Sequence, residues 1–120
     1  MLKRLFLALL LISPVSFADW GDVYYCQMTS SSETTFEGKR TDYLLEKFTF
    51  KLDEAKQAMV FGKGGYFGRQ EMEIVWSGGM RNETWEAASG SARLYFESGR
   101  LGYAMVALEV HSVTADCDKF

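Results

Sequence analysis

The sequence predicts an all-β domain: a single small meander of seven to eight strands, an up-and-down barrel or half-barrel, closed by one disulfide. Three observations predict it. Apolar and polar residues alternate at period two through most of the chain, the pattern of strands with one buried face. Gly, Ser and Asp interrupt that alternation roughly every 8–12 residues, the spacing of short consecutive strands in sandwiches and barrels. The chain has two cysteines, Cys26 and Cys117, and they bracket nearly all of the alternating region.

The N-terminus reads differently. Lys3 and Arg4 form a short positive region, Leu5 to Ile12 is an unbroken apolar run, Ser13-Pro14 breaks any helix, and Ser16-Phe17-Ala18 ends in the small–x–small pattern that signal peptidase accepts. The run is shorter than the ~20 residues that span a bilayer. The alternative is a buried N-terminal core helix, but charge, apolar run, breaker and small residues follow the order that export requires. Residues 1–18 are therefore expected to be a cleaved signal peptide and residues 19–120 a single β domain. No cysteine follows the apolar run at a lipobox position, which argues against a lipid anchor. In an oxidising compartment the two cysteines read as a disulfide, which would close a loop holding most of the domain.

Each strand can be placed in order. Val23 to Met28 is rich in β-formers, with Tyr24, Cys26 and Met28 on one face, and a polar stretch from Thr29 to Thr35 follows. Thr41 to Lys47 is the best helix candidate, with Thr41 or Asp42 as N-cap, and reads equally as the start of a strand. Phe48, Phe50 and Leu52 alternate with Thr49 and Lys51, and Asp53 to Lys56 makes a hairpin loop into Ala58 to Phe61. Met72, Ile74 and Trp76 are expected on one face of the next strand, with Glu71 and Glu73 on the solvated other. Trp85 and Ala87, then Leu94 and Phe96, mark two further strands, and Leu101 to Val113 supplies one long strand or two short ones.

Composition narrows the function. Removing Lys3 and Arg4 from the 13 basic residues leaves 11 against 16 acidic ones, a net charge of −5. An acidic domain without a basic stripe is a poor partner for nucleic acid or for an anionic membrane surface. The expected partner is an envelope protein or polymer. No cofactor motif is present, and no metal site is expected. His111 is the single histidine. Ser112, His111 and Asp116 do not converge as a triad, because adjacent strand residues point to opposite faces. His111 with Asp116 and Asp118 has no metal-site spacing and lies close to the C-terminus. No catalytic residue is assigned, and the domain is expected not to be an enzyme.

The most unusual stretch is Gly62-Lys63-Gly64-Gly65-Tyr66-Phe67-Gly68-Arg69. It has two readings: a backbone-amide nest for an anion, using Lys63, Gly64, Gly65, Tyr66 and Arg69, or a connection whose two aromatics fold back onto the core. Asn82-Glu83-Thr84 is an N-glycosylation sequon in an expected turn, of use only in a eukaryotic secretory route. Tyr and Trp are abundant enough to supply surface contacts as well as core.

From the signal through Asp19-Trp20-Gly21-Asp22-Val23-Tyr24-Tyr25-Cys26-Gln27-Met28 to Thr114-Ala115-Asp116-Cys117-Asp118-Lys119-Phe120, the chain resembles small uncharacterised exported proteins of marine bacteria. The segments Glu46 to Leu52 and Val60 to Phe67 belong to the same likeness, which implies export and no particular activity. Tyr25-Cys26, Ser89-Gly90-Ser91-Ala92-Arg93 and the closing Cys117 are similar to the periplasmic C-type lysozyme inhibitors, small disulfide-tied β-barrels. The aromatic-Lys-Gly segment of that family is replaced here by Leu101-Gly102-Tyr103. This similarity implies that Ser89 and Arg93 would enter a lysozyme cleft. Together these readings lead to a non-catalytic periplasmic or secreted binding module. A periplasmic enzyme inhibitor and a lipocalin-like carrier of a small apolar ligand are the alternatives.

Overall fold

Nine antiparallel strands build the computed structural model, which describes residues 18–79 and 83–120; among these there is no helix. They are β1 (Val23–Thr35), β2 (Arg40–Asp42), β3 (Lys47–Asp53), β4 (Ala58–Phe61), β5 (Glu71–Gly78), β6 (Thr84–Ser89), β7 (Ala92–Glu97), β8 (Arg100–Val106) and β9 (Glu109–Lys119). From β3 onward each strand pairs with the next, and β9 returns to pair with β1. Eight strands thus close a barrel, and β2 lies outside it against the far end of β1. The expected signal peptide, apart from Ala18, and Asn82 of the sequon lie outside the described residues.

The alternating pattern dictates the core. Tyr24, Cys26 and Met28 on β1, Phe48, Phe50 and Leu52 on β3, and Val113, Ala115 and Cys117 on β9 all point inward and are buried. The barrel interior is filled by large side chains, with Phe50, Phe67, Phe96, Met28, Met59 and Met72 among those fully buried. Each such side chain contributes about 1.5–3 kcal/mol of hydrophobic stabilisation. An eight-stranded barrel is narrow enough to be filled this way. Cys26 and Cys117 face each other across the β1–β9 seam and form a disulfide spanning 91 positions of sequence.

Several boundaries differ from the sequence reading. The polar stretch Thr29 to Thr35 continues β1 as its second half, because β9 runs beside it as far as Glu109. Thr41 to Lys47 forms no helix. A seven-residue segment is too short to sustain one, and its first two residues instead supply the ladder partners of Glu33 and Ser32. Leu101 to Val113 divides into two strands at Ala107-Leu108. The C-terminal residues through Lys119 belong to β9 rather than to a loose end.

Two β-bulges reset the alternation. In β1 the register against β9 shifts between Met28 and Ser30. Even-numbered residues face inward before Thr29, and odd-numbered ones, Ser31 and Glu33, do so after it. In β5 the register against β6 shifts between Ile74 and Trp76. Trp76 therefore turns outward, 48% exposed, rather than joining Met72 on the inner face as its spacing suggested. An extra residue in one strand exchanges the faces of everything beyond it.

Candidate functional site

The Gly-rich connection between β4 and β5 folds back onto the barrel. Phe67 is fully buried and its ring centroid lies 4.7 Å from that of Phe61, 4.8 Å from Tyr103 and 5.0 Å from Phe48. Tyr66 stacks edge-on against Phe67 and sits half-buried above it. The loop also uses its own amides: Gly68 N donates to Gly65 O at 3.1 Å, Arg69 N to Gly62 O at 2.8 Å, and Gln70 N to Phe67 O at 2.9 Å. Of the residues expected to form an anion nest, this pairs the Arg69 amide within the loop. Lys63 and Arg69 remain exposed. Gly64 and Gly65 border a shallow hollow of about 440 Å³ with Tyr25, Lys47, Asp116 and Asp118. Ser89 and Arg93 lie on either side of the β6–β7 turn, Ser89 paired with Ala92 and Arg93 with Ala88. Their positions in the alternation differ, so the sheet does not bring them to one face.

Arg93 belongs instead to a groove on the outer face. One row of cross-strand partners crosses the sheet there: Trp76 opposite Glu86, Glu86 opposite Tyr95, Tyr95 opposite Gly102, Gly102 opposite Thr114, and Thr114 opposite Ser30. Two hollows, of about 450 and 530 Å³, flank this row on either side and share Tyr95, Gly102 and Thr114 at their border, while Trp76 lines neither. Their walls are the Tyr95 ring, 44% exposed, and the polar groups of Glu86, Arg93, Glu97, Arg100, Ser112, Thr114 and Asp116. Tyr95 is held by a 3.2 Å hydrogen bond from its hydroxyl to Glu97. The Trp76 indole lies back along its own strand: a Cβ added at Gly78 would come within 3.0 Å of its Cζ2 and 3.3 Å of its Cη2. Trp76 and Tyr95 stand two strands apart, roughly 9.6 Å at the usual inter-strand spacing.

Gly102 forms the floor. It does not adopt positive φ, and a Cβ built on it would meet nothing within 4 Å. Neither backbone conformation nor packing explains a glycine in mid-strand, where it weakens the sheet. The Tyr95 ring does not cover it. What the missing side chain does provide is depth, the feature expected where a ligand approaches the backbone closely.

A second constellation occupies the inner face, where β1, β9 and the link after β2 extend the barrel wall. Glu33 and His111 are direct cross-strand partners, and Glu109 lies two residues before His111 on the same face. One ligand atom from each of the three lies within 4.8 Å of the other two. His111 Nε2 stands 3.6 Å from Glu109 Oε2, and the Tyr43 hydroxyl donates a short hydrogen bond to Glu33 Oε2. That hydrogen bond, with burial and the Glu33 charge, holds the Tyr43 pKa above its usual value. Tyr66 and Tyr103 are raised as well, chiefly by burial, and the Glu33 charge adds to the effect on Tyr66.

Asp116 and Asp118 point outward while His111 points inward, so these three do not converge. Ser112 likewise faces outward, with its hydroxyl 3.0 Å from that of Ser32, and forms no triad with His111. The sequence could have flagged Glu109 and His111 as an i, i+2 pair on one strand face. Glu33 and Trp76 were hidden by the bulges that place them. No protein-family model, no curated protein and no solved structure matches the chain, so its function has to be read from the geometry of its own residues.

Proposed function

We propose that the domain is an exported, non-catalytic binding module that holds a linear, uncharged glycan of the cell envelope across the outer faces of β5 to β9. The observation that carries this reading is the single row Trp76–Glu86–Tyr95–Gly102–Thr114, with a side-chain-free floor between an exposed aromatic and a hydroxyl. Aromatic rings present flat area to the apolar faces of sugars, and adjacent carboxylates, guanidinium groups and hydroxyls take the sugar hydroxyls. Trp76 and Tyr95, both half-exposed on this outer face, offer two such rings to one extended chain. Arg93 and Arg100 are outnumbered by Glu86, Glu97 and Asp116 along the groove, which favours an uncharged strand over a strongly anionic one.

The surrounding features agree with this placement. A disulfide belongs in an oxidising compartment such as the periplasm or the cell exterior. The filled interior weighs against a carrier of a small apolar ligand, and the separation of Ser89 from Arg93 weighs against the lysozyme-inhibitor arrangement. The test is a titration of the protein with uncharged β-linked hexasaccharides, followed by amide NMR and tryptophan fluorescence. Binding should perturb Tyr95, Gly102, Thr114 and Trp76 together, and Trp76→Ala or Tyr95→Ala should weaken it about tenfold or more. Perturbation confined to other faces would place the ligand elsewhere and defeat the reading.

A further inference from the structure

We propose that Glu33, Glu109 and His111 form a binding site for one divalent transition-metal ion at the mouth of the barrel, separate from the outer groove. The three donors are of the right kinds, since carboxylate oxygen and imidazole nitrogen together suit zinc and its neighbours. They also come from a rigid framework. Glu109 and His111 share a strand face at i, i+2, Glu33 faces His111 across the ladder, and all three ligand atoms lie within 4.8 Å of one another. Tetrahedral ligands at zinc bond lengths sit about 3.4 Å apart. The pair His111 Nε2 and Glu109 Oε2, at 3.6 Å, is already close to that, and Glu33 offers its ligand atom within 4.8 Å of both.

Electrostatics points the same way. Two carboxylates on a partly dehydrated face repel each other, and among the described residues neither pairs with a lysine or arginine. The single imidazole between them cannot neutralise both, whereas a divalent ion can. Tyr43 then acts as a positioning residue, its hydroxyl bonded to Glu33 and fixing that carboxylate as hydrogen-bond donors do for metal-bound carboxylates. Three protein ligands leave a fourth coordination position for water or another ligand.

The single histidine makes the test direct. Tag-free, 15N-labelled protein is titrated with zinc at neutral pH while the ring nitrogens of His111 are followed by NMR. The expected result is a saturable one-to-one shift of the Nε2 resonance. Glu33→Gln and Glu109→Gln should each weaken binding about tenfold or more, Tyr43→Phe about tenfold, and His111→Ala about a hundredfold. Ring resonances that stay unmoved at a large excess of zinc overturn the proposal. So does zinc that binds without moving them, or with equal affinity in both glutamine variants. If His111→Ala does not fold, the wild-type ring shift and Glu33→Gln still decide the question.

Discussion

Gly102 is the residue on which the binding account turns, because nothing in the fold requires it. Adding a side chain there should cost the fold nothing: Gly102→Val is expected to leave the melting temperature unchanged or raise stability by up to about 1 kcal/mol, since valine suits a strand better than glycine. The same change fills the floor of the groove. Tyr24 makes a second prediction. Burial, helped by the Asp22 charge, pushes its pKa up to about 12. Below pH 10 the phenol is neutral in both folded and unfolded chains. Between pH 10 and 12 the unfolded chain has released this proton and the native state keeps it, so stability falls with rising pH. Urea titrations should show a loss across that window, to which the raised Tyr43, Tyr66 and Tyr103 also contribute, and Tyr24→Phe should reduce it by about 2 kcal/mol.

At the scale of elements, the sequence made the strands legible where alternation was unbroken, and misled where a bulge exchanged faces. Phe48-Thr49-Phe50-Lys51-Leu52 and Leu94-Tyr95-Phe96 are oriented as their spacing says. Beyond Thr29 and beyond Ile74 the parity reverses, so Glu33 moves in and Trp76 moves out. Both candidate sites depend on those reversals, which is why neither was visible as a motif. Register is a property of two strands together, and one strand's sequence does not contain it. The short β2 was missed because a three-residue ladder against the far end of β1 leaves no periodic signal. The Gly-rich loop was legible in one of its two readings: Phe67 is a plug, held among Phe48, Phe61 and Tyr103. Phe67→Ala should destabilise the domain by about 3–5 kcal/mol in a urea titration, as large-to-small changes at packed aromatic sites do. Lys63→Ala with Arg69→Ala should leave stability within about 0.5 kcal/mol, since both side chains are exposed.

For the whole molecule, closure is the organising fact. The period of the strands and the position of the two cysteines were enough to predict an all-β barrel or half-barrel tied by a disulfide, and the β1–β9 pairing closes it at that disulfide. Constraining a loop of this length in the unfolded chain is worth about 4–5 kcal/mol on the chain-entropy model. Reduction, or Cys26→Ala with Cys117→Ala, should lower unfolding stability by that order. The loss belongs to the unfolded chain's freedom more than to any contact, so the barrel of surviving variants should keep its β circular-dichroism signal. Closure also fills the inside and leaves the outer wall as the surface on which a long ligand can lie. The central claim is therefore the outer groove, and one measurement tests it most directly: amide NMR titration of wild type and Gly102→Val with the same uncharged β-linked hexasaccharides. The account predicts that wild type binds with shifts centred on Tyr95, Gly102 and Thr114, and that the equally stable valine variant does not bind. Equal binding by both proteins, or no binding by either, would contradict it.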